Sequence, residues 1–508
     1  MLGPVVDEAA ERFGDRTAYV SAGGETVSYA DFRDRTQRAA HWLHEQGVQA
    51  GDVVALVLPA TVEYLALYVG AARIGAVTAG VNWRLTPHEQ QALIELVDPM
   101  LTVRPADVPD LTTELPPTPL PRSAAADAPG SNTPVAIVFT SGTTGRPKAA
   151  VFGIRQLEVI TRIDTGGRWG GGGGQLAGMS FASLGPMTKL PGNLMRGGTT
   201  YLVDRWHARL ALELTERHQL TTIAGIPTQV ALMLADPELG RFDHSSVRAV
   251  VMGGGPATPA LVRDARTRFN APVAIRYSCT EAGIGLGTAL DAPNEDAEIS
   301  VGRPHPGLEL AIRDEALEPV PSGAVGEVCL RSGATMSGYW NDPAGTAQAF
   351  TPDGFVRTGD LGWIDDQGRL RLAGRRKELY VRGGYNVYPV EVEAVLAEHP
   401  AVAEVAVVPR PDPVMGEIGV AAVVVRPGSP PPTLAELRSF AADRLAHHKL
   451  PERLVALDAL PLTPAEKVDR RALADLVAAL ADDGDEAGGQ ARATRPSRPS
   501  RGTGSSSP

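Results

Sequence analysis

Two hydrophobic periods alternate along the first 290 residues. The stretch "SYADFRDRTQRAAHWLHEQG" repeats apolar positions at helical spacing, with Ser28 placed as an N-cap and a glycine after the last turn. "DVVALVLP" is a short β-branched run closed by proline; "TVEYLALYVGAARIG" is helical again and "AVTAGVN" reads as a strand. A second alternating block runs from "VAIVFT" to about residue 290. It holds the strand patterns "TTYLV", "TTIAGIP", "VRAVVMGGG" and "VAIRYS", with helices near 208–218, 228–235 and 259–268. Such βαβα alternation predicts parallel sheets covered by helices. After residue 300 short strands with turn signals take over ("LELAIRD", "GEVCLRS", "GWIDDQGRLRLAG") and predict a small β-barrel-like subdomain. From about 377 a helix, two strands, a helix and a strand form a separate α+β pattern. The expected fold class is therefore α/β. A large N-terminal domain, 1–376, is followed by a small α+β C-terminal domain, 377–478, and by a tail, 479–508, too polar to order itself. Residues 104–134 read as a linker, and "GGRWGGGGG" (166–174) as a low-complexity, mobile segment.

Composition narrows the classes. The formal net charge of −11 argues against a nucleic-acid surface, which needs a basic stripe. The two cysteines, Cys279 and Cys329, have no CxxC partner, and a reducing cytoplasm is the simplest compartment. The most apolar region, 53–81, is interrupted by Pro59, Glu63 and Arg73, so no membrane span is expected. Oligomeric state, monomer or dimer, is not encoded legibly.

Chemistry concentrates in five segments. "TSGTTGRPK" holds Thr140, Ser141, Gly142, Thr143, Thr144, Gly145 and Lys148, and begins where a buried-strand signal ends. Glycine-rich turns converge backbone N–H groups on an anion, the hydroxyls donate to phosphate oxygens and the lysine adds charge. The spacing departs from the GxxxxGK[ST] phosphate loop, and Pro147 disfavours helix entry at Arg146. The alternative is an ordinary polar turn. "YSCTEAG" offers an aromatic face at Tyr277, a hydroxyl at Thr280 and a Mg²⁺-type oxygen ligand at Glu281; taken alone it is equally a strand end with a surface glutamate. "RTGDLGWID" places Asp360 where a carboxylate could accept from ribose hydroxyls, or simply close a β-turn. "GRRKELYVRGGYNVYPVEVE" joins Arg375 and Lys377 to the pair Gly383–Gly384, and could be a solvated hairpin. "LPLTPAEKVDRRAL" sets Lys467 in a proline-flanked loop, where a lysine is usually just exposed.

In this order and spacing the five segments resemble the adenylate-forming superfamily: acyl-CoA synthetases, luciferases and the adenylation domains of peptide synthetases. The resemblance covers roughly residues 10–475. "GVNWRLTPHE" and "YNVYPVEVEAVLAEHPAVAEVAVV" look most like the fatty-acyl and aryl CoA ligases. It implies that a carboxylate attacks the α-phosphorus of ATP to give acyl-AMP, and that a thiol, usually of CoA, then displaces AMP. It further implies that Thr140–Lys148 wraps the β- and γ-phosphates, Thr280 meets the α-phosphate, Glu281 holds Mg²⁺, and Tyr277 lies along adenine. Asp360 would bind the ribose hydroxyls, Arg375 would help hold ribose or phosphate, and Lys467 would bridge carboxylate and phosphate. Lys377 would be the hinge of a mobile C-terminal domain. Gly383 and Gly384 would line the pantetheine tunnel, and Gly253, Gly254 and Gly255 would wall the acyl pocket.

Two departures qualify the resemblance. The family's aromatic-His pair, about a dozen residues before Gly197–Gly198, is replaced here by "MSFASLGPMTKL", and small Ala182 and Ser183 suggest room for a bulky acid. The residue before the catalytic lysine, usually glycine, is Glu466. Three enzymatic readings stay open: a CoA ligase, an enzyme loading a carrier-protein phosphopantetheine in trans, and one performing only the thioester-forming half-reaction. A nucleotide-binding protein without turnover is the non-enzymatic alternative.

Overall fold

Local caps start two of the early helices, the first of them where the pattern predicts. Ser28 Oγ accepts from the Asp31 backbone N–H at 3.0 Å, and the Asp31 carboxylate accepts back from Ser28, opening helix Tyr29–Glu45. Thr86 and Glu89 do the same for helix Pro87–Val97. Between them, helix Val62–Arg73 is apolar on almost every side and buried from Tyr64 to Ala71. It packs on Tyr29–Glu45 so closely that a Cβ on Gly70 would lie 2.8 Å from Ala39 Cβ and 2.8 Å from Ala40 N.

The computed structural model describes residues 2–113, 131–140, 147–464, 466–482 and 492–493. They divide into two units, Met1–Lys377 with Pro464–Glu466, and Glu378–Thr463 with the chain from Lys467 onward. In the first unit a six-stranded sheet runs in the order Gly338–Tyr339, Lys148–Gly153, Pro134–Thr140, Val77–Gly80, Val53–Leu56, Leu101–Val103. The last four strands are parallel, as the βαβα pattern requires. Lys148–Gly153 turns back antiparallel on Pro134–Thr140, with Thr140 opposite Lys148. A second sheet sets Thr222–Gly225, Ala249–Gly253 and Val273–Tyr277 parallel, then adds Leu286–Gly287 and Arg303–Pro304 antiparallel. The strands expected after residue 300 form a four-stranded antiparallel sheet: Glu309–Arg313, Gly326–Arg331, Val356–Ile364, Leu370–Arg375.

A buried charge network ties this last sheet to helix Asn294–Ile299. Arg369 donates to Asp296 at 2.8 Å and to Asp365 at 2.8 Å, and Arg303 also reaches Asp296 at 2.8 Å. Burial opposes ionisation of Asp365, but N–H groups of Arg369 and Gln367 and the guanidinium groups of Arg369 and Arg371 outweigh it and hold its carboxyl down to about 2. The folded value lies below the ordinary carboxylate value of about 3.9, so the stabilisation is complete above pH ~4 and is lost as pH falls toward 2. Asp365→Asn is expected to cost roughly 2 kcal/mol at pH 5 and progressively less on acidification. Urea unfolding of both proteins between pH 5 and 2 checks it; a pH-independent difference would contradict it.

The glycine run expected to be mobile is instead pinned. Gly170 and Gly172 donate to the Met195 and Arg196 carbonyls at 2.8 and 2.9 Å, and a Cβ on Gly172 would lie 2.8 Å from Arg196 Cβ. The glycines permit close approach to the end of helix Leu184–Arg196 rather than slack.

In the second unit Val402–Asp412 pairs antiparallel with Gly416–Val425, which pairs parallel with Arg453–Leu457. Helices Pro389–Leu396 and Leu434–Ala441 bury Val392, Leu396 and Leu437 against this sheet, with Tyr380 and Val407. Helix Arg470–Asp482 takes in the first residues of the expected tail, because Leu480 joins Leu473 and Val477 in a second apolar cluster. Arg492–Ala493 pairs with Arg453–Leu457, and the rest of the tail lies outside the described residues.

Candidate active site

Tyr277 ends the strand Val273–Tyr277, with its ring buried, and its hydroxyl donates to Asp360 Oδ2 at 2.6 Å. Asp360 stands opposite Arg375 in the antiparallel register, and Arg375 Nε donates to its Oδ1 at 2.9 Å. Burial, then the Asp360 charge, push the Tyr277 phenol far above its ordinary value. The phenol is thereby kept in its donor form, and the Asp360 carboxyl is held from both sides, Tyr277 on Oδ2 and Arg375 on Oδ1. Residues 83 positions apart are joined here, a bond that local pattern does not reveal.

Just beyond Tyr277 the chain makes the short 3₁₀ turn Thr280–Ala282, which carries Thr280 and Glu281. The Glu281 carbonyl accepts from Met336 N–H at 2.9 Å, and its Oε1 accepts from Tyr339 Oη at 2.8 Å. Lys148 Nζ lies 4.5 Å from the centroid of the Tyr339 ring. Tyr339 was not singled out in the sequence; the "GYW" aromatic pair after a strand-breaking stretch is the only local signal for it. Cys279, beside this turn, is free, and burial pushes its thiol far up, which disfavours the thiolate.

Of the expected phosphate loop, Thr140 and Lys148 face each other at its two strand ends. The Thr140 hydroxyl is buried and has no hydrogen-bond partner among the described residues. Ser141, Gly142, Thr143, Thr144 and Gly145 lie outside the described residues. The glycines expected to wall the acyl pocket continue the strand Ala249–Gly253. A Cβ on Gly253 would sit 2.8 Å from the Arg276 carbonyl, Gly254 has φ +79°, and a Cβ on Gly255 would meet Pro227 at 3.5 Å. Where the family's aromatic-His pair is missing, the backbone of Ala182 packs against Gly80, and Phe181 meets Tyr64 edge-on at 5.6 Å.

Glu466, grouped with the first unit, has φ +61°, a conformation that favours glycine. Its carboxylate accepts from Gln229 Nε2 at 2.8 Å and pairs with Arg84 at 3.3 Å, so its charge is balanced by partners of its own.

In the second unit, Lys467 sits in a tight backbone loop. Thr463 N–H donates to the Lys467 carbonyl at 2.7 Å, and Lys467 N–H returns to Thr463 Oγ1 at 3.3 Å. Gly383 and Gly384, with φ +54° and +86°, form the two-residue turn between Tyr380–Arg382 and Tyr385–Val387. Two positive φ values in a hairpin turn demand glycine-like residues, and a Cβ on Gly384 would meet nothing within 4 Å. The pair is thus explained by backbone conformation, whatever else passes it. Lys377 closes the continuous part of the first unit and Glu378 opens the second. No helix among the described residues is long and apolar enough to cross a membrane.

Parallel α/β sheets followed by a smaller α+β unit are the architecture of the adenylate-forming ligases among the solved structures. The chain belongs to the AMP-binding enzyme family, which it matches over residues 6–340, with the family's C-terminal domain over 391–467. It is similar to a fatty acid–[acyl-carrier-protein] ligase of Streptomyces coeruleorubidus, 33% identical across 90% of this chain and 93% of that protein. It is also similar to an indoleacetate–CoA ligase of Aromatoleum aromaticum, 32% identical across 89% and 93%. Among solved structures, an amide bond synthetase from Marinactinospora thermotolerans superposes with TM-score 0.80 at 32% identity, over 94% of this chain and 100% of that one. The o-succinylbenzoate CoA synthetase of Bacillus subtilis, bound to its acyl-adenylate intermediate, gives TM-score 0.79 at 25% identity, over 92% and 97%.

Proposed function

We propose that this chain is an ATP- and Mg²⁺-dependent acid–thiol ligase that forms acyl-AMP and passes the acyl group to CoA. The observation that carries the reading is the Asp360 carboxylate, held by Tyr277 and Arg375, with Glu281 on the turn that follows Tyr277. In this reading Asp360 accepts from the ribose hydroxyls and Tyr277 borders adenine. Thr140, with the loop to Lys148, holds the β- and γ-phosphates; the Thr140 hydroxyl, buried and without a partner among the described residues, suits an oxygen-rich guest. Thr280 donates to the α-phosphate. A substrate carboxylate oxygen then attacks the α-phosphorus, the bond to the bridging oxygen breaks, and pyrophosphate leaves. Two anions meet in that step, so cations aimed at the developing charge matter most. Lys467 supplies one of them.

The donor set also fits Mg²⁺. Glu281 Oε1 is taken by Tyr339, and no donor to Oε2 is seen among the described residues. A single hard carboxylate oxygen next to substrate phosphates is how Mg²⁺ is usually held, and the ion would there supply positive charge to the phosphate chain.

A second reading keeps the adenylation and changes the acceptor. The similar Streptomyces protein is a ligase for an acyl carrier protein, which favours a carrier-protein phosphopantetheine as the alternative thiol. The test is incubation with ATP, Mg²⁺ and a panel of fatty, aryl and heteroaryl acids, with CoA, a holo carrier protein or an amine as acceptor, and identification of products by mass. Acyl-CoA and AMP support the first reading and acyl-carrier protein the second. An amide product, or no adenylate with any acid, would overturn both.

A further inference from the structure

The residues assigned to the phosphate side meet on one side chain that carries no motif. Tyr339 lies on the edge strand Gly338–Tyr339, opposite Ala150 of Lys148–Gly153, the strand that Lys148 begins. Its backbone N–H is fixed by Thr346 Oγ1 at 2.8 Å. Set this way, the phenol has two partners at once: Glu281 Oε1 on its hydroxyl at 2.8 Å, and Lys148 Nζ over its ring at 4.5 Å. A carboxylate anchored through one oxygen presents the other with little rotational freedom. An ammonium over an aromatic face is confined without being neutralised.

We propose that Tyr339 is a positioning residue that holds both Glu281 and Lys148 for MgATP, the hydroxyl ordering the metal ligand and the ring ordering the phosphate cation. The inference rests on the assignment of Glu281 and Lys148 made above. Outer partners of metal ligands typically change metal affinity 10–100-fold when removed, and a cation over an aromatic ring contributes much less.

Two substitutions separate the two roles. Tyr339→Phe removes the hydroxyl and keeps the ring; Tyr339→Leu removes both. The measurement is equilibrium binding of α,β-methylene-ATP to the full-length protein, in EDTA and across a Mg²⁺ titration, with thermal unfolding of each variant as the folding control. Tyr339→Phe should raise the Mg²⁺ concentration for half-maximal binding roughly 10–100-fold and leave binding in EDTA as in the wild type. Tyr339→Leu should in addition weaken binding in EDTA roughly 2–5-fold. Glu281→Gln is the reference, and combining it with Tyr339→Phe should bring no further loss. An unchanged Mg²⁺ dependence in Tyr339→Phe, beside a shifted one in Glu281→Gln, would overturn the role of Tyr339 alone. An unchanged dependence in both would overturn the assignment of Glu281 itself.

Discussion

Lys467→Ala should lower acyl-AMP formation by roughly 10²–10³-fold, the usual cost of removing one donor aimed at transition-state charge. Thioester formation from supplied acyl-AMP should stay near the wild-type rate. The split follows from chemistry. Only the first half-reaction joins two anions, and only there does an ammonium at the reacting oxygens lower the barrier. In the second half-reaction the thiol attacks an uncharged carbonyl carbon, and the charge that develops on the AMP phosphate as the acyl C–O bond breaks is that of a good leaving group, not of two anions forced together. Glu466 does not blunt this expectation, because Arg84 and Gln229 occupy its carboxylate. Thr463 fixes the Lys467 backbone through two hydrogen bonds, so alanine leaves the loop in place. Single-turnover assays of the two half-reactions give the answer; an equal loss in both would mean that Lys467 acts through structure and not through charge.

Asp360→Asn is the second large effect. The substitution keeps the shape and removes the charge that Tyr277 and Arg375 both address. An amide can accept from one of these donors, but its NH₂ then faces the other. Hydrogen bonds to charged groups are worth about 1.5–3 kcal/mol, so ATP binding should weaken roughly 10–100-fold. The nucleotide should feel this more than the acid. Titration with ATP and, separately, steady-state kinetics in acid at saturating ATP distinguish the two; a rise in the acid KM with ATP affinity unchanged would move Asp360 out of the ribose site.

What the sequence made legible was what neighbours in the chain decide. Ser28 announces its helix because a cap and its partner lie three residues apart, while the same device at Thr86 and Glu89 went unread. The parallel sheets follow from alternating periods. The Tyr277–Asp360–Arg375 cluster could be assembled only through resemblance, because its bonds cross 83 and 15 positions. Tyr339 escaped attention for the same reason: its partners come from a strand that begins 191 residues earlier and a turn 58 residues earlier. The glycine run at 166–174 was misread because composition alone does not distinguish glycine that permits motion from glycine that permits contact; Gly172 against Arg196 is the second kind. Gly383–Gly384 carried a similar ambiguity, and its positive φ values supply a conformational reason for both glycines.

The step on which every assigned role depends is attack of a carboxylate at the α-phosphorus of ATP. Its most direct test is exchange of labelled pyrophosphate into ATP by the purified protein, with and without a carboxylic acid from the panel. Exchange should require both the acid and Mg²⁺, with AMP as the nucleotide product once an acceptor is added. Cleavage to ADP and phosphate, or no exchange with an acid that the protein binds, would contradict it.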